Sequence, residues 1–133
     1  MAEPTKSYFA KLIKLTQQNL DEVISHQLDL NSERALWEVQ GLFKQYSIRL
    51  KEIFSKSGRL YSYYVIRDNE VLVGFDNYPD RRALQYKYGQ NYKRHLGKLV
   101  PHQHGERKET LQLTEEMTIE IFMDYLQKQF IAK

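Results

Sequence analysis

Two histidines stand two residues apart in Val100-Pro101-His102-Gln103-His104-Gly105, and a third, His95, lies just upstream. In an extended segment, residues two apart face the same side, so His102 and His104 would present both imidazoles in one direction. Two chemistries suit such a pair. H-x-H on a strand can hold two corners of a transition-metal site, with a third ligand from His95 or Asp76. The pair can also move protons near neutral pH without a metal. Cleavage of RNA through its 2′-hydroxyl needs a base for that proton, an acid for the leaving 5′-oxygen and cations for the charge on phosphorus. His102 and His104 fit the acid and base roles, and Arg81, Arg82 and Arg94 offer guanidinium forks for phosphate. Tyr86, Tyr88 and Tyr92 can stack on unpaired bases, or pack this segment onto the rest of the chain. Asp76 can orient a histidine by accepting its ring proton. With Asn77 it also precedes Pro79, a setting in which Asx side chains cap turns.

The charge around these groups is uneven. Between positions 81 and 108 there are eight cations and one acid, Glu106, a local charge of +7. The rest of the chain carries twelve cations and sixteen acids, or −4. A basic stretch on an acidic body can attract a polyanion, although charge runs also serve as solvated loops. The 133 residues fit one α+β domain, with 80–108 as a basic, Tyr- and His-rich insertion-like segment. With no cysteine, neither a disulfide framework nor a thiolate metal site is possible. No apolar run approaches the ~20 residues that cross a bilayer. Lys6 and Lys11 interrupt any secretory core near the start, so a cytoplasmic protein with no membrane contact is expected. A phosphate-binding glycine loop, a nucleophile elbow and H-E-x-x-H are all missing from the sequence.

Several elements would have to position the site. Phe9, Leu12, Ile13, Leu20, Val23, Ile24 and Leu28 recur at helical spacing and predict a helix from about Thr5 to Leu28, with His26 a structural residue on it. Two runs of period two follow, RALWEVQG and QYSIRLKE, then RLYSYYVI, dense in aromatic and β-branched residues, and EVLVGF, which pairs back as a fourth strand. SKSG reads as a turn and Asp68-Asn69 as a two-residue hairpin turn, both residues of which tolerate positive φ. Pro79 stops the fourth strand. Residues 80–97 have helix formers cut by Gly89, VPHQHG reads as extended, and KETLQLT as a short strand or lead-in. Thr114 is the expected cap of a last helix that buries Met117, Ile119, Ile121, Phe122, Tyr125, Leu126 and Phe130. The expected fold is a four-stranded antiparallel meander packed by N- and C-terminal helices.

The order RLYSYYVI, GFDNYP, VPHQHG and then an amphipathic helix resembles the TumE-type proteins of bacterial toxin–antitoxin systems. The resemblance spans about 34–130 and rests on Asp76-Asn77-x-Pro79 and Pro101-His102-x-His104. Asp80 stands where that family often has histidine, and the spacer between the motifs is longer. The resemblance implies a toxin-like role against RNA or translation, restrained by a cognate antitoxin protein, with Asp76, Asn77, His102 and His104 as shared polar residues. The expectation is a metal-independent endoribonuclease without a cofactor. His102, His104 and Asp76 would be catalytic, with Asn77, Arg81, Arg82, Tyr88, Tyr92, Arg94 and His95 on the nucleic acid. A non-catalytic module for nucleic acid or an acidic partner, and a small metalloprotein using His95, His102 and His104, are the other readings. An exposed sheet edge allows a homodimer.

Overall fold

A computed structural model describes residues 6–130. Helix α1 (Lys6–Asn19) leads into seven strands: β1 (Glu22–Leu30), β2 (Ala35–Phe43), β3 (Tyr46–Ser55), β4 (Gly58–Arg67), β5 (Glu70–Asp76), β6 (His102–His104) and β7 (Leu111–Leu113). They form one antiparallel sheet in chain order, a continuous meander. Helix α2 (Arg81–Tyr88) and a 3₁₀ segment (Gly89–His95) connect β5 to β6, and α3 (Ile119–Gln129) closes the chain. The α+β class is as expected, but the sheet has seven strands rather than four. None of the described helices is long and apolar enough to cross a membrane.

The first helix ends nine residues before the expected Leu28; its expected first residue, Thr5, lies outside the described residues. Val23, Ile24 and Leu28 belong to β1 instead. Eight of the nine side chains in β1 are exposed, and only Val23 is half-buried. Backbone pairing with β2 holds this strand, not an apolar face, so its hydrophobic residues matched a helical period by coincidence. His26 therefore sits on a strand, exposed, with its ring edge-on to Trp37 at 6.4 Å. The last helix starts later than expected. Thr118, not Thr114, is its cap and accepts a bond from the amide of Ile121. Ile121 is 51 % exposed, while Met123 takes a place in the core.

Alternation sorts the sheet into two faces. On one, Trp37, Val39, Ile48, Leu50, Tyr63, Val65 and Phe75 meet Phe9 and Leu12 of α1 and Phe122 and Leu126 of α3. The other is covered near β6 and β7 by α2, where Ala83, Leu84 and Val100 form a small second core joined by Tyr88, Tyr92 and Leu111. The β4–β5 turn is as tight as expected: Asp68 and Asn69 have φ of 53° and 65° between the paired residues Arg67 and Glu70.

Candidate functional site

On the second face, residues in register make two rows across the sheet. One runs Lys51, Ser62, Asp76, His102. The next runs Arg49, Tyr64, Gly74, His104. The crossover through α2 brings β6 antiparallel against β5, and period two then puts both imidazoles on the side of Asp76. Gly74 has a specific part in this. A Cβ there would lie 2.0 Å from a carbon of the Tyr64 ring, so only glycine lets that ring lie across the strand. From there the Tyr64 hydroxyl donates to Asp76 Oδ2 at 2.8 Å.

The Asp76 carboxylate is the hub. Oδ1 accepts from the Tyr78 amide at 3.0 Å and faces His102 Nε2 at 3.0 Å. Oδ2 faces His104 Nε2 at 3.2 Å. The two imidazole rings meet edge to face, 4.8 Å between centroids. His102 has no exposed surface; Asp76 and His104 are each 4 % exposed. His102 Nδ1 lies 2.6 Å from the Val100 carbonyl, and Nε2, although close to Oδ1, makes no aligned hydrogen bond. Burial alone would raise the Asp76 pKa, but the two imidazoles and the Tyr64 hydroxyl outweigh it and hold the carboxyl well below the usual range. Burial likewise works against a charged His102, yet Asp76 and the Val100 carbonyl raise its pKa on balance. Burial and then Asp76 push the Tyr64 hydroxyl far up, so it stays a donor.

A cavity of about 390 Å³ opens beside this hub. His104, Asp76, Tyr64 and Tyr78 line it, with Lys51, Arg82 and Lys108 as its cations. The Lys108 ammonium sits 4.7 Å from the centre of the Tyr64 ring. Arg82 is anchored by bonds to the carbonyls of Lys108 and Glu109 at 3.2 and 3.4 Å. Three cations beside a histidine–aspartate pair can bind a phosphodiester and act on it by proton transfer. Among the described residues, Asp76, His102 and His104 are also the group able to converge on a metal ion, since one donor atom from each lies within 4.8 Å of the others.

The other sequence candidates scatter. Asn77 is buried, and both ends of its side chain are used: Oδ1 accepts from the Tyr61 amide at 3.0 Å and Nδ2 donates to the Arg59 carbonyl at 2.8 Å. It extends the β4–β5 pairing past the end of the ladder, which leaves it nothing to offer a nucleic acid. Arg81 and Tyr92 line a second cavity of about 260 Å³, which shares Pro79 and Asp80 with the first. Tyr88 and His95 stack on each other at 3.6 Å, so neither face in that contact is free for a base or a metal. Arg94 is exposed on the 3₁₀ segment. Asp80 caps α2 by accepting from the amides of Arg82 and Ala83.

Sequence reasoning passed over Tyr64, Tyr78, Lys51 and Lys108. The signal for Lys51 was present, since it lies on the polar side of an alternating strand. Tyr64 carried none, because only the register with Gly74 aims it at Asp76. Comparison of the chain with family models, curated proteins and solved structures gave no match.

Proposed function

We propose that this chain is a toxin-like protein that acts on RNA, cleaving the backbone by transfer through the 2′-hydroxyl. The observation that carries this reading is the Asp76–His104 pair on the wall of a cavity supplied with Lys51, Arg82 and Lys108. The cations hold the phosphate, and His104, the histidine that lines the cavity, takes the 2′-hydroxyl proton. The 2′-oxygen then attacks phosphorus as the P–O5′ bond breaks, the 5′-oxygen takes a proton from solvent water, and a 2′,3′-cyclic phosphate remains. Asp76 holds the His104 ring in place, and His102, sealed behind it, serves as a positioning residue for that carboxylate. A cytoplasmic location and a cognate antitoxin that covers the cavity belong to the same reading.

The test is to express the chain alone and follow growth and RNA integrity, beside His104→Gln and Asp76→Asn. Growth arrest and cleavage that both variants abolish support the reading. No cleavage by the wild type, or equal cleavage by both variants, ends it. A second reading is favoured by the exposed cations Arg81, Lys87, Lys93, Arg94 and Lys98: a non-catalytic module that holds RNA or an acidic partner segment. Steeply salt-dependent binding without cleavage would select it.

A further inference from the structure

A carbonyl oxygen only accepts, so the 2.6 Å contact of His102 Nδ1 with Val100 places a proton on Nδ1. In the neutral ring, Nε2 then carries a lone pair. This nitrogen is buried, has no hydrogen-bond partner and stands 3.0 Å from a carboxylate oxygen. Two electron-rich atoms so placed repel each other unless positive charge lies on or between them. A proton on Nε2 answers that need, and so does a cation shared by both atoms. His104 Nε2 lies 3.2 Å from the other oxygen of the same carboxylate. Donors about 2.0–2.1 Å from a tetrahedral ion stand roughly 3.4 Å apart. The separations here are close to that, and the third lies within the 4.8 Å limit of the cluster.

The surroundings are those of a ligand set. Metal-bound imidazoles usually donate their second nitrogen to a carbonyl or carboxylate, and bound carboxylates are themselves hydrogen-bonded. His102 has the Val100 carbonyl; Asp76 has the Tyr64 hydroxyl and the Tyr78 amide. Two imidazoles with one carboxylate suit zinc and similar first-row divalent ions better than magnesium or calcium. We propose that Asp76, His102 and His104 bind one divalent ion of this class through the carboxylate and both Nε2 atoms, with the remaining position turned toward the 390 Å³ cavity. An ion on His104 Nε2 takes over the contact with Asp76 that holds the ring for the RNA reaction and makes the imidazole a weaker base. The bound ion therefore holds that reaction off; this consequence rests on the proposed function, whereas the binding does not.

The experiment uses the untagged full chain, stripped with a chelator and dialysed. Cobalt(II) is titrated in while visible d–d absorption is followed, and zinc binding is measured by calorimetry. One zinc per chain is expected, displacing cobalt from a low-symmetry, intensely coloured site. Asp76→Asn and His104→Gln, checked for folding by circular dichroism, lose the colour and the heat. Tyr64→Phe, which removes only an outer hydrogen bond, weakens binding about tenfold or more. A wild type without stoichiometric binding, or variants that bind as tightly as it does, would overturn the site. RNA plays no part in these measurements, so their failure leaves the RNA reading standing. For the consequence, one equivalent of zinc lowers cleavage by the stripped protein; a rise refutes the off state.

Discussion

Glu52 and Asp76 are both buried carboxylates of the same sheet, one on each face, and their surroundings are opposite in kind. Glu52, with no exposed surface, accepts from the hydroxyls of Tyr8 and Tyr63. It also accepts from Nε and a terminal nitrogen of Arg59, both at 3.3 Å. Arg59 donates in addition to the Met117 carbonyl at 2.9 Å and reaches Glu116. One charge thus ties α1, β3, β4 and the lead-in to α3 together. Asp76 has two imidazoles where Glu52 has a guanidinium. Each of them keeps an unpartnered nitrogen, and the hub borders a cavity. A saturated buried charge works as a fastening; an incompletely paired one beside a cavity has capacity left for a ligand or a proton.

The sharpest test of that contrast is His104→Gln. Cleavage of RNA should fall about 10²- to 10⁴-fold, the usual share of a proton-transferring group, with the thermal midpoint close to that of the wild type. On the other face, Arg59→Ala leaves Glu52 buried without its counter-ion. It should cost about 3–5 kcal/mol in urea unfolding, while the folded fraction keeps its activity per molecule. If instead Arg59→Ala is harmless, the fastening role of that face is wrong. Gly74→Ala tests how the hub is aimed. The Tyr64 ring must move, at a cost of about 1–3 kcal/mol, and its hydroxyl leaves Asp76, so activity should fall with stability. The smallest effect belongs to the cavity cations. Lys51→Ala and Lys108→Ala should each weaken single-stranded RNA binding, as read by fluorescence anisotropy. The salt slope should drop by about 0.7 for each phosphate that the variant no longer neutralises. An unchanged slope would place the RNA elsewhere.

Legibility followed side-chain pattern. β2 to β4 could be read because each alternates between a buried and a wetter face, and the Asp68-Asn69 turn because few other residues accept positive φ at both positions. β1 could not, since backbone bonds to β2 define it and its side chains are almost all in water. Three-residue strands such as β6 and β7 are too short to show a period, yet β6 completes the hub. Asp76, His102 and His104 were recognisable by type and spacing. The burial of His102 and the use of Asn77 by the β4 backbone were not, because both depend on neighbours distant in sequence.

By itself, then, the sequence determined the α+β class, the central strands and the three residues worth suspecting, since local periodicity and residue chemistry suffice for these. Tertiary structure alone decided that Asp76 lies between two imidazoles, that Tyr64 crosses Gly74 to reach it, and that Lys51 and Lys108 share its cavity. The physical reason is register. A shift of one residue between β5 and β6 would turn both histidines to the opposite face, and nothing within either segment specifies that pairing.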